Sequence, residues 1–167
     1  MKSLRELYKT GRGPSSSHTI GPEIIARNAL ARFGQRRYRV ELFGSLALTG
    51  RGHGTDRVLR EVLGADTDIV FNSTATDIPH PNYMKIYSLS AEGTPEFLFD
   101  AVSVGGGSVL IDGHELADSR EVYPQRDFAE VRAFADGRGM TLPEYVRYYE
   151  PDIYPYLETV WQVMKES

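Results

Sequence analysis

Tyr38-Arg39-Val40-Glu41-Leu42-Phe43-Gly44-Ser45-Leu46-Ala47-Leu48-Thr49-Gly50-Arg51-Gly52-His53-Gly54-Thr55-Asp56 is the stretch that organises the chain. Tyr38, Val40 and Leu42 alternate with Arg39, Glu41 and Phe43, the period of a strand with one face in the core. The glycine-punctuated segment after Phe43 predicts a loop. A helix over 56–63 leaves it, with Thr55 as N-cap and Gly64 just past the last turn. His53 stands between two glycines, so no neighbour along the chain shields its ring. Imidazoles titrate near neutrality, and one in an open loop suits proton transfer. The plainer reading is a histidine that is merely exposed.

Upstream lies Gly11-Arg12-Gly13-Pro14-Ser15-Ser16-Ser17-His18-Thr19-Ile20-Gly21-Pro22. Glycine and proline box a run of hydroxyls and one imidazole, which predicts a stiff polar loop. Gly21-Pro22 leads into a helix ending at Phe33, before Gly34, and proline suits a first helical turn. The hydroxyls and free amides therefore gather near a helix N-terminus, a setting that favours a carboxylate or phosphate. A serine-rich turn that caps the helix is the simpler explanation. Three serines and a histidine boxed by Gly-Pro exceed what a cap needs.

Before this loop, Leu4, Leu7 and Tyr8 have helical spacing. After the first two helices, strands are predicted at 68–71, 83–89, 97–103 and 108–112. Pro79 and Pro81 make 72–82 a loop, with His80 in a surface turn. Asp112-Gly113 is a turn signal, and His114 after it reads as exposed. Helices early and hairpin-spaced strands late define an α+β fold (an α/β sandwich), a mainly antiparallel sheet with helices packed on it.

From Leu116 the character changes, so residues 1–117 are assigned to one domain and 118–167 to a linker and C-terminal helical extension. Asp127 with Glu130, and Thr141 with Glu144, each have the spacing of a helix start. Pro151 and Pro155 interrupt. Leu157, Val160, Trp161 and Met164 then form one apolar helix face, which needs the sheet or a partner to lie on. Tyr145, Tyr148, Tyr149, Tyr154 and Tyr156 fit either an amphipathic contact surface or ordinary packing.

The 167 residues carry a formal charge of −4 and are 41% hydrophobic, enough for one packed domain with an extension. No basic concentration suggests nucleic acid. Neither a long apolar run nor a signal peptide is visible, so a soluble cytoplasmic chain is expected, with no membrane partner. Cysteine is absent. That excludes disulfides, thiolate zinc sites and cysteine nucleophiles, and it bars this chain from ligating an iron–sulfur cluster by itself. Lys2, Lys9, Lys85 and Lys165 lie in no glycine-rich cofactor setting, which argues against pyridoxal chemistry.

Gly13-Pro14-Ser15-Ser16-Ser17-His18-Thr19-Ile20-Gly21-Pro22, the segment from Phe43 to Asp56, and Val102-Ser103-Val104-Gly105-Gly106-Gly107-Ser108-Val109 occur in an order that resembles the beta domain of the iron–sulfur-dependent L-serine dehydratases. The likeness runs from Leu4 to Asp112. Its two long motifs are specific, whereas the triple glycine alone is weak. The family's beta domain is similar in fold to the intervening domain of one phosphoglycerate dehydrogenase class. The resemblance implies dehydration of L-serine to aminoacrylate, which becomes pyruvate and ammonia, a reaction of amino-acid catabolism and gluconeogenesis. It makes His53 the base that takes the Cα proton. Ser15, Ser16, Ser17, His18 and Thr19 would grip the substrate's carboxylate and ammonium or sit beside the cluster. Thr55 and Asp56 fall to capping, and 105–107 to packing.

The same resemblance implies a [4Fe–4S] cluster held by a partner alpha domain or subunit, with no metal bound by this chain alone. L-serine and that alpha component are the expected partners, and a homodimer is among the expected assemblies. The segment from Met140 to Glu144, Glu150, and the stretch from Trp161 to Ser167 are similar to the linker that leads into the alpha domain of single-chain members. The chain then reads as an excised or naturally split beta component. A stand-alone or regulatory module that binds serine or another small anion is the other reading. The two differ on His53, which turnover requires and simple binding does not.

Overall fold

Ser3 starts the first helix of the computed structural model, α1 (Leu4–Leu7), by accepting the Arg5 amide on its hydroxyl at 3.0 Å. The structure describes residues 1–116 and 121–166, which fall into two units. One is Gly11–Leu116; the other joins Met1–Thr10 to residues 121–166.

In the Gly11–Leu116 unit, a π-helical turn (Ser16–Ile20) runs straight into α2 (Gly21–Phe33), and β1 (Tyr38–Phe43) follows. Then come α3 (Gly44–His53), α4 (Thr55–Leu63) and β2 (Asp68–Asn72). The hairpin-linked strands β3 (Tyr83–Leu89), β4 (Pro95–Gly105), β5 (Ser108–Ile111) and β6 (His114–Glu115) complete a six-stranded sheet of order β2-β1-β3-β4-β5-β6. Only β1 and β2 pair in parallel, and α3 and α4 form the crossover that a parallel pair needs. The architecture is the expected α+β fold with a mainly antiparallel sheet.

Register sets the core. Val40 pairs with Ile86 and Ile86 with Phe99; Leu42 pairs with Met84, and Met84 with Ala101. These rows are buried, and Ile25 and Ala29 of α2, Leu46 of α3 and Leu59 and Leu63 of α4 pack against them. Burial of this kind contributes about 25 cal/mol per Å² of apolar surface, the main term holding the helices to the sheet.

Three local expectations give way. The segment after Phe43 is a helix, not a loop, because Leu46 and Ala47 bury on the core and tertiary packing overrides the poor helix propensity of glycine. Gly50 serves that packing: a Cβ there would lie 3.2 Å from Thr55 Oγ1. Gly54, at φ +74°, ends α3 in a left-handed turn, and α4 begins at once. Thr55 is therefore the first helical residue, not the cap. The serine segment is likewise helical from Ser16, its π geometry closed by the Gly21 amide donating to the Ser16 carbonyl.

In the other unit, Asp127 caps α5 (Phe128–Asp136), and Thr141 with Glu144 forms a reciprocal capping box on α6 (Leu142–Tyr149), both at the expected positions. The last helix, α7 (Ile153–Glu166), takes Pro155 into its first turn. Tyr123, Val131, Ala135 and Tyr145 form the core here. Tyr145 and Tyr149 stack with Tyr123 and Phe134, so those two tyrosines are packing residues, whereas Tyr148 and Tyr154 are exposed. Of the expected α7 stripe, Val160 is buried and Trp161 and Met164 are exposed. Glu150 is buried, and its carboxylate accepts from the Ser3 and Tyr123 hydroxyls and from the Leu4 amide at 3.2 Å. The expected boundary at 117/118, the linker's first residues and Ser167 lie outside the described residues. Among the described residues no helix is long and apolar enough to cross a membrane.

Two substitutions test this packing. A Cβ at Gly21 would sit inside van der Waals contact with Ser103 Oγ and 2.8 Å from Ser103 Cβ, and Ser103 is wholly buried. Gly21→Ala should cost about 1–3 kcal/mol in urea denaturation, and Ser103→Gly should relieve part of that cost in the double variant. Glu150→Ala removes the acceptor of three donors, the buried Tyr123 hydroxyl and the part-buried Ser3 hydroxyl and Leu4 amide, and should cost about 2–3 kcal/mol, with faster hydrogen exchange at the Leu4 amide.

Candidate active site

Residues four apart share a face of a helix, so α3 lines up Ser45, Thr49 and His53. The Thr49 hydroxyl donates back to the Ser45 carbonyl at 2.9 Å. His53, the last residue of α3, places Nδ1 3.1 Å from the Thr49 carbonyl. A carbonyl only accepts, so Nδ1 carries the proton and Nε2 keeps its lone pair. The ring is half-buried at the end of a helix, not held in an open loop.

The π-helical turn brings His18 to the same place. His18 is 8% exposed, and both ring nitrogens are engaged. Nε2 lies 3.0 Å from Ser45 Oγ and 3.0 Å from Thr49 Oγ1. Nδ1 lies 3.0 Å from Ser17 Oγ and 3.3 Å from Ser15 Oγ. The His18 carbonyl accepts the buried Thr55 hydroxyl at 2.6 Å. The two imidazoles are 4.7 Å apart between centroids, tilted by 46°. Burial, and secondarily the neighbouring His53, lower the pKa of His18, while its bond toward the Ser45 backbone works the other way. His18 is thus held toward its neutral form.

Ser15, Ser17, His18 and His53 are brought together around one imidazole pair. Ser16 gives its carbonyl to the turn. Thr19 is wholly buried, and its hydroxyl donates to the carbonyls of Arg12, at 2.6 Å, and Ser15. It shapes the turn from inside. Arg12 at the start of the turn is ion-paired with Glu61 of α4. Ser45 and Thr49 are site residues that the sequence reading passed over, and Thr55 bonds the turn where a cap was expected. The signal was present: Ser45, Thr49 and His53 recur at every fourth residue, a pattern with meaning only once the segment is read as helix.

The arrangement combines a proton acceptor, a cluster of hydroxyls and the first-turn amides of Ser16, Ser17 and His18, which precede any helical acceptor. It can bind a small polar, partly anionic molecule and move one proton.

Residues 3–65, which include every side chain named in the site, match the family described as serine dehydratase beta chain. An L-serine dehydratase of Streptomyces coelicolor is 28% identical over 98% of this chain and 48% of its own length. L-serine dehydratase 2 of Escherichia coli is 26% identical over 99% of this chain and 48% of its own length. A Bacillus subtilis protein named "Probable L-serine dehydratase, beta chain" is 35% identical over 62% of this chain and 57% of its own. Over residues 3–65 the chain is similar to the serine dehydratase beta chains. It spans about half the length of the curated relatives it matches.

The histidine pair can be read directly. His18 should titrate below the ordinary 6.5 in an NMR pH series. His53→Ala should bring its midpoint back toward 6.5 without reaching it, because burial remains the larger cause. The folded state then resists protonation that the unfolded chain accepts. His18 therefore adds stability above its unfolded pKa, and that stability is lost as pH falls from about 6.5 toward the lowered value. His18→Asn should flatten that part of the denaturation profile.

Proposed function

We propose that this chain is the beta component of an iron–sulfur L-serine dehydratase, which converts L-serine to pyruvate and ammonia. The observation that carries the reading is His53, with Nδ1–H fixed on the Thr49 carbonyl and the Nε2 lone pair left to take a proton. The match of 3–65 to the serine dehydratase beta chains supports it. His53 Nε2 takes the Cα proton of bound serine. The electron pair left on Cα forms the Cα–Cβ double bond as the Cβ–O bond breaks; the departing hydroxide takes a proton from solvent to become water, and His53 then releases to solvent the proton it accepted. The aminoacrylate tautomerises to an imine, and a water molecule hydrolyses it to pyruvate and ammonium. The first-turn amides and the hydroxyls of Ser15, Ser16 and Ser17 take the substrate's polar groups, with His18 fixing the hydroxyls and Thr19 the turn.

The residues of this chain do not fit a [4Fe–4S] cluster. Cysteine is absent, and among the described residues no three His, Asp or Glu side chains gather into a metal-holding set. The cluster is assigned to an alpha domain or subunit, toward which residues 118–167 would lead from a beta domain of 1–117. A cytoplasmic setting and a place in amino-acid catabolism and gluconeogenesis follow from the same reading.

The test uses the complete protein with its alpha component, prepared anaerobically, and measures serine-dependent pyruvate. His53→Ala should lower kcat by about 10²–10⁴-fold with little change in serine affinity. Unchanged turnover would remove His53 from the chemistry. Serine binding with no turnover in the wild type would leave a binding module.

A further inference from the structure

Among the described residues Thr49 is the one bonded to both imidazoles, although its side chain stands at the surface of α3. It makes three hydrogen bonds, and its hydroxyl has a single proton to give. Its hydroxyl proton goes to the Ser45 carbonyl at 2.9 Å. The oxygen can then only accept from His18 at 3.0 Å, so Nε2 of His18 carries the proton. Its carbonyl accepts from His53 at 3.1 Å, so Nδ1 of His53 carries the proton there. One backbone turn therefore imposes opposite tautomers on two rings 4.7 Å apart.

The assignment propagates. With Nε2 protonated, Nδ1 of His18 is an acceptor with one lone pair, which one of the two nearby hydroxyls fills by donating. Ser17, at 3.0 Å, is the nearer donor. A hydroxyl that donates inward keeps its oxygen lone pairs for another donor, and a protonated amine is the matching group. We propose that Thr49 is the positioning residue of this site: its hydroxyl fixes the His18 tautomer and thereby turns the Ser17 oxygen into an acceptor for the substrate's ammonium group. The structural part stands on hydrogen-bond direction alone; its consequence for turnover rests on the serine dehydratase reading.

The tautomers are measured in this chain, ¹⁵N-labelled, by long-range ¹H–¹⁵N correlation of the imidazole rings at mildly alkaline pH. The wild type should show Nε2–H at His18 and Nδ1–H at His53. Thr49→Val should turn His18 into a tautomer mixture, since the acceptor at Thr49 is lost and the Ser45 hydroxyl beside Nε2 can donate as well as accept, while His53 keeps its pattern because the backbone carbonyl survives. Thr49→Ser should restore His18. An Nδ1–H tautomer at His18 in the wild type, or a His18 pattern untouched by Thr49→Val, overturns the proposal.

In the complete enzyme, Thr49→Val should raise KM for serine about tenfold, the loss of one hydrogen bond to a charged group, with kcat within a few-fold and Thr49→Ser restoring KM. A fall in kcat with KM unchanged overturns the link to the ammonium. If the wild type makes no pyruvate, the dehydratase reading fails, and the ring spectra still decide the role of Thr49.

Discussion

A buried imidazole bonded through both nitrogens is the constraint on which the rest of the site depends. His18 is gripped on one side by the serines of its own turn and on the other by Ser45 and Thr49 of α3, while Thr55 of α4 holds its carbonyl. A polar ring buried this deeply would cost several kcal/mol without partners. With them it ties three segments of the chain together. The π geometry is part of the same device. One extra residue in the turn widens the helix where His18 has to face inward, and such turns concentrate at functional sites. The widened turn is seated on the sheet by Gly21, whose bare Cα lets it rest on Ser103 of β4.

The strands were legible because burial on one face of a sheet writes a period of two into the sequence, and Tyr38–Phe43 carries it cleanly. The helix starts at Asp127 and Thr141 were legible because a cap is a local object, complete within four residues. The serine turn and His53 stood out through their motifs, and the structure brings them together. Helix α3 was not, because three glycines in ten residues argue against a helix in every local scale. What decides for it is the burial of Leu46 and Ala47 on strands far along the chain. Once α3 was read as a loop, Ser45 and Thr49 had no geometric relation to His53 and dropped from view. The same holds for Met1–Thr10, which joins residues 121–166 through Ser3 and Glu150, a contact 147 residues apart in sequence.

The closeness of the two imidazoles has its own logic. Two unit charges about 4–5 Å apart repel by about 1 kcal/mol in water and about 4 kcal/mol at the effective dielectric near a protein surface. At His18 this repulsion is the second cause of the lowered pKa, after burial. Burial already holds His18 toward neutrality, and a proton arriving on His53 reinforces it. The hydrogen-bond polarity that His18 imposes at Nδ1 therefore survives a change of charge on its neighbour. If His18 took a second proton instead, Nδ1 would become a donor, and the hydroxyl donating to it would have to turn round. In the proposed reading, a proton-accepting histidine next to a substrate-binding hydroxyl cluster meets this conflict directly, and burying the second ring with its partners in place resolves it. One ring can then change charge while the other keeps the binding geometry fixed.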